Sequence, residues 1–136
     1  MSAGFEGVLE TSLYHDASET EAIERFYGET LGLEAVSRWP GGIAYRVGPA
    51  VLLLFEREGL AERDSPIAAH GTTGPGHACF VVAGPEPYRE WLERVASSGV
   101  EITHEHEWGD RYRSFYFNDP AGNLLEIADG DLWPRH

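Results

Sequence analysis

The sequence predicts an α+β fold of two tandem βαβββ modules, on three observations. Two amphipathic helical patterns are present. Each is preceded by one strand-like run and followed by three. Landmark residues also recur at a nearly constant offset. Gly32 and Gly99 are 67 positions apart, as are Glu10 and His77; Tyr45 and Tyr116 are 71 apart, as are Pro49 and Pro120. Two halves that keep one order and nearly one offset have the form of an internal repeat.

The first half opens with the strand run "VLETSLY". Ser18-Glu19-Thr20-Glu21 then reads as a capping box. Ile23, Phe26, Tyr27 and Leu31 mark one helical face, and Gly32 is placed as the stop. Three strand runs follow: "AVSRW", "IAYRV" and "AVLLLFE". The second half opens with "HACFVV". Its helix follows "GPEP", with Pro87 in the first turn and Tyr88, Trp91, Leu92 and Val95 on one face, and Gly99 ends it. "EITHEHEW", "SFYFN" and "NLLEIA" complete the set. The expected organisation is one domain over 1–136, with module one at about 6–57, a linker at 58–75 and module two at about 76–130. The linker starts charged ("REGLAERDS") and ends turn-rich ("HGTTGPG").

A chain of 136 residues with 42% hydrophobic and 12% aromatic content is long and apolar enough to build a core. No run approaches a membrane span. The N-terminus lacks the basic and apolar regions of a signal peptide. One cysteine, Cys79, excludes an internal disulfide and fits a reducing cytoplasm. The net charge of −13 repels phosphate backbones and anionic membranes, so no nucleic-acid or membrane partner is expected. It attracts cations, metals among them.

Glu126 sits inside the apolar run after the turn "NDPAGN", where a carboxylate is costly unless paired. Strand alternation separates it from Leu125 and Ile127. If the more apolar faces pack under the helices, the other faces carry Glu10, Ser12, Tyr14, Tyr45, His77, Ser114, Tyr116 and Glu126. Two carboxylates and an imidazole form a donor set for a divalent ion.

"ERFYGETLGLE", "GPGHACFVV" and "RSFYFNDPAGNLLEI" resemble signatures of the vicinal oxygen chelate superfamily, the group of glyoxalases, bleomycin-resistance proteins and extradiol dioxygenases. The resemblance covers about residues 6–129. It implies paired βαβββ modules whose mixed sheets curl into a metal-binding cup. It further implies His77, Glu126 and Glu10 as metal ligands, for one ion of Zn, Mn, Ni or Fe. Tyr116, ten residues before Glu126, resembles a tyrosine that faces substrate in fosfomycin-modifying members, and Tyr45 is its candidate companion. The repeat offset carries Glu126 onto Phe55, with Glu56 adjacent, so the place of a fourth ligand is open between them.

Other residues carry weaker signals. His104 and His106 form an H-x-H pair that can bind metal, though alternation with glutamates on an edge favours a solvated strand. Arg113 could steer an anionic group, or face the helices instead. Trp39 and Trp108 read as pocket wall or core. Cys79 reads as small, buried and unreactive. The functional expectation is a glyoxalase-like metalloenzyme of lyase or isomerase type. It would act on a small molecule whose paired oxygens chelate the metal, with Glu10 or Glu126 as possible base. A bleomycin-resistance-type binding protein without catalysis is the alternative, and an extradiol-type dioxygenase the third reading, disfavoured by a glutamate at position 10. A homodimer is expected by analogy.

Overall fold

A computed structural model describes residues 4–62 and 64–133. The chain divides into two compact units, with the division between Thr73 and Gly74. Each unit holds one four-stranded mixed sheet. In the first, β1 (Glu10–His15), β2 (Glu34–Trp39), β3 (Gly42–Val47) and β4 (Ala50–Glu56) lie in the order β1-β4-β3-β2. In the second, β5 (His77–Val81), β6 (His104–Trp108), β7 (Tyr112–Asn118) and β8 (Leu124–Ala128) lie in the order β5-β8-β7-β6. In both, the first strand runs parallel to the last and the remaining pairs are antiparallel. The two βαβββ modules are therefore present in the predicted order.

Helix α1 (Thr20–Arg25) continues into one π-helical turn at Phe26–Thr30. It starts earlier than the sequence suggests, through a 3-10 turn at Ala17–Glu19. The box is built on Asp16: Glu19 Oε1 accepts from the Asp16 backbone N–H at 2.9 Å. The Asp16 carboxylate also accepts from Arg57, at 2.9 Å. Gly32 ends the helix at φ 68°, and Gly99 follows helix α3 (Pro85–Ser97) at φ 91°, both in the region that favours glycine. A short helix α2 (Arg57–Glu62) occupies the stretch read as charged linker.

Each sheet buries one face under its own helix. In unit one Ile23, Tyr27 and Leu54 are fully buried, and Tyr27 stacks on Tyr45 at 5.9 Å. In unit two Val95 is fully buried with Phe115, Phe117 and Leu125, and Tyr88 meets Phe115 edge-on at 5.4 Å. Each such side chain contributes about 1.5–3 kcal/mol. The alternation that buries Phe115, Phe117, Leu125 and Ile127 sends Tyr116 and Glu126 to the opposite face, where the chemistry lies. Among the described residues no helix is long and apolar enough to cross a membrane.

Candidate functional site

The ladder of unit two fixes which groups meet. Cys79 pairs with Glu126, Glu126 with Tyr116, and Tyr116 with His104. These residues, with His77, Ser114, His106 and Trp108, share the face turned away from α3. His77 stands two residues before Cys79 on β5, opposite Leu124. Its Nε2 comes within 3.2 Å of Glu126 Oε1. The imidazole is half open, its side chain 48% exposed, while the carboxylate is 6% exposed.

His77 Nδ1 lies 2.9 Å from the Leu124 carbonyl. A carbonyl only accepts, so this nitrogen carries the proton. In the neutral ring Nε2 then presents a lone pair to a carboxylate oxygen. Two lone pairs at that distance repel unless a positive charge joins them. The second oxygen, Glu126 Oε2, is buried without a hydrogen-bond partner among the described residues. An orphaned buried acceptor costs about 1–3 kcal/mol. A divalent ion would satisfy both atoms at once, and the Leu124 carbonyl is the kind of outer partner that orients a metal-binding imidazole. His77 and Glu126 therefore fit as two ligands of a divalent ion.

The turn "NDPAGN" accounts for the pair's placement. Asp119 Oδ1 accepts from the backbone N–H groups of Ala121 at 2.8 Å and Asn123 at 2.9 Å, and Asp119 Oδ2 from the Asn123 amide at 2.9 Å. Gly122 takes φ 89°, a conformation that suits glycine. Asn123 Oδ1 then accepts from Gly76 N–H at 2.8 Å, and Leu124 N–H donates to Gly76 O at 2.9 Å. Asp119 and Asn123 are both buried. The motif ties the start of β8 to the residue before His77.

The Tyr116 ring lies between two imidazoles, 6.4 Å from His77 and 6.0 Å from His104. Desolvation, then the Glu126 carboxylate, hold its phenol above the ordinary value against an opposing Ser114 hydrogen bond, so it remains a donor. Cys79 is exposed here, not buried as its sequence setting suggested, because β5 edges the sheet. Partial desolvation and the adjacent Glu126 nevertheless push its thiol up to about 12. Arg113 lies on the opposite face, in register with Phe115 and Phe117, with its N–H on Asp129 at 2.9 Å. His104, His106 and Trp108 stand exposed on β6, the edge strand, as the sequence suggests. Their alternation in "HEHEW" was the available signal, and their pairing with Tyr116 and Ser114 was not visible there.

Unit one departs from the expected set. Tyr45 pairs with Leu52, and Leu52 with Thr11, so it lies on the helix side, 1% exposed against Tyr27. The correction has a simple cause. β3 and β4 join through a tight turn at Gly48-Pro49, whereas five residues join β7 to β8, so one offset cannot hold across both hairpins. The residue opposite Phe55, as Tyr116 is opposite Glu126, is Gly42.

Glu10 lies exposed at the start of β1, opposite Val51. If it matches His77, the Glu126 counterpart two residues along is Leu53; if Phe55 is that counterpart, Ser12 matches His77. Either way the counterpart is apolar. Phe55 packs with Tyr14 and Leu60, and with Trp39 and Leu53 at the margin. The Trp39 indole reaches Phe55 across Gly42, whose place admits no Cβ beneath the indole. His70 caps the cluster, 4.8 Å from the Phe55 ring and hydrogen-bonded to the Tyr14 hydroxyl. Glu56 pairs with His15 on the helix side and accepts from Thr20 Oγ1 at 2.7 Å. Glu56 therefore does not hold the place left open for a fourth ligand, which falls on Phe55 or, if Glu10 matches His77, on Leu53. Among the described residues no group of three or more His, Cys, Asp or Glu side chains is disposed to hold a metal. His77 and Glu126 are two donors of unit two, and Glu10 belongs to unit one.

Residues 17–127 match the family described as the Glyoxalase/Bleomycin resistance protein/Dioxygenase superfamily. The chain is similar to the crystal structure of a lactoylglutathione lyase from Agrobacterium tumefaciens, at 35% identity and a TM-score of 0.89, covering 98% of this chain and 100% of that one. A glyoxalase-related enzyme from Fulvimarina pelagi is 26% identical with a TM-score of 0.74, covering 97% and 94%. Virulence protein STM3117 of Salmonella typhimurium is 29% identical over 115 residues, 82% of this chain and 76% of that protein.

Proposed function

The chain belongs to the glyoxalase/bleomycin resistance protein/dioxygenase superfamily, and from that premise we propose that it is a metal-dependent enzyme of lyase or isomerase type acting on a small molecule. The observation that supports this most is the buried, unpartnered Glu126 Oε2 beside the bare Nε2 of His77. His77 and Glu126 would hold one divalent ion; Glu10, the third ligand the sequence suggests, belongs to the other unit. An imidazole with hard carboxylates suits Zn, Mn, Ni or Fe. Such an ion supplies Lewis-acid stabilisation of an oxyanion on a substrate that chelates through two neighbouring oxygens.

The protein's own groups do the rest. Leu124 O fixes the His77 tautomer. Tyr116 keeps its proton and donates a hydrogen bond to substrate oxygen. Glu126, or Glu10, is the candidate base. Lactoylglutathione is the first substrate to test, but a net charge of −13 does not attract its carboxylates. We also propose assembly as a homodimer.

Metal content of protein purified without added metal, beside His77→Ala, tests the reading. About one ion per chain is expected in the parent and little in the variant. Stoichiometric metal surviving in His77→Ala would overturn the assignment. A second reading, sequestration of a cationic drug without catalysis, draws on the same negative charge. Calorimetry with a cationic glycopeptide on metal-stripped protein separates the two, since tight metal-independent binding would favour sequestration.

A further inference from the structure

We propose that His104 and His106 form a second divalent-metal site, separate from His77 and Glu126 and selective for borderline ions such as Cu²⁺, Ni²⁺ or Zn²⁺. The two imidazoles stand at alternate positions of β6, opposite Tyr116 and Ser114. Glu105 between them points the other way, where its Oε1 accepts from the Tyr88 hydroxyl at 3.2 Å. Tyr88 is buried, so this contact holds the facing of the strand.

His104 Nε2 and His106 Nδ1 are 3.3 Å apart. Two nitrogens at that spacing, each about 2.0–2.1 Å from one ion, subtend roughly 104–111°, close to the tetrahedral angle. The required tautomers are both neutral, with protons on His104 Nδ1 and His106 Nε2. Aromatic neighbours support the rings from either side. Tyr116 lies 6.0 Å from His104, and Trp108 meets His106 edge-on at 4.5 Å. The indole N–H of Trp108 is itself anchored on buried Ser114 Oγ at 2.9 Å. β6 ends its sheet, so its outer side has no strand partner in the sheet and leaves room for water to complete the coordination. Two imidazoles without a carboxylate favour Cu²⁺, Ni²⁺ and Zn²⁺ over Mg²⁺ or Ca²⁺.

The proximity of Trp108 supplies the readout. Untagged protein is titrated with Cu²⁺ and followed by tryptophan fluorescence and by calorimetry, in the parent, in His104→Ala/His106→Ala and in His77→Ala/Glu126→Gln. Quenching is expected in the parent and in His77→Ala/Glu126→Gln. It is expected to weaken by more than about tenfold in concentration in His104→Ala/His106→Ala, a loss at least as large as that of an outer-shell partner. Circular dichroism should show that variant folded, since both histidines are exposed. Quenching that survives His104→Ala/His106→Ala unchanged overturns the proposal. So does quenching that disappears in His77→Ala/Glu126→Gln. Neither result depends on whether the His77 site is catalytic.

Discussion

Glu126 Oε1 lies 3.2 Å from His77 Nε2, while Oε2 of the same carboxylate is buried and has no hydrogen-bond partner among the described residues. One carboxylate thus has a neighbour on one side and an unmet demand on the other. Such a group is a poor stabiliser of the metal-free fold. Replacing a buried ionic group by an apolar one of similar volume is often neutral or stabilising. Glu126→Leu in metal-stripped protein is therefore expected to unfold at or above the parent's Tm. In the parent, an ion at a hundred times its Kd adds about 2.7 kcal/mol, and that rise should vanish in Glu126→Leu. Thermal unfolding with and without chelator measures both. A loss of more than about 2 kcal/mol in the metal-free variant would instead make the carboxylate a structural group.

The turn before β8 should act on the site through position alone. Asn123 joins the Asp119 carboxylate to Gly76, one residue before His77. Asn123→Ala leaves the Gly76 N–H and an Asp119 oxygen without this partner. The expected cost is about 1–3 kcal/mol of stability and about 10–100-fold in metal affinity, the range for a group that orients ligands. Chemical denaturation and metal titration on the same variant check the two effects. Lost stability with unchanged metal affinity would separate the turn from the site.

Much of this arrangement was legible in the sequence because it rests on period and punctuation. Alternation in "SFYFN" and "NLLEIA" separated the helix-side residues from Tyr116 and Glu126, and glycines at 32 and 99 marked both helix ends. What was not legible depends on register. A tight turn at Gly48-Pro49 against a five-residue turn after Asn118 moved Tyr45 to the helix side, although its spacing from Tyr116 matched that of Pro49 from Pro120. The helix start shifted from Ser18 to Asp16 because Glu19, not Glu21, is the far end of the box. His104 and His106 were visible as a pair, but only cross-strand pairing put them beside Tyr116.

Phe55 predicts a failed graft. Its ring lies at the centre of the Tyr14, Leu60, Trp39 and His70 cluster. Phe55→Ala is expected to cost about 3–5 kcal/mol. Phe55→Glu buries a carboxylate among those rings and is expected to cost at least as much. It should add no metal ligand and leave metal stoichiometry unchanged. Denaturation midpoints and metal analysis test this. A stable Phe55→Glu protein with tighter metal binding would show that unit one retains a ligand place after all.

Cys79 tests the electrostatics of the face without reference to catalysis. Its thiol is exposed by area yet pushed up to about 12, first by desolvation and then by the Glu126 carboxylate. Both disfavour the thiolate, which is the alkylating species. At pH 8 very few of these thiols are ionised, whereas a free thiol titrates at about 8.5. Iodoacetamide should therefore label folded metal-stripped protein slowly at pH 8, with the rate still climbing well above pH 9. Glu126→Gln removes the carboxylate's share but not the desolvation. Its labelling profile should shift to lower pH while staying above that of a free thiol. An ion bound at His77 and Glu126 offsets the same charge and should shift the parent's profile in the same direction. Rapid labelling of the parent at pH 8 would mean that the carboxylate and the thiol do not share the face as described.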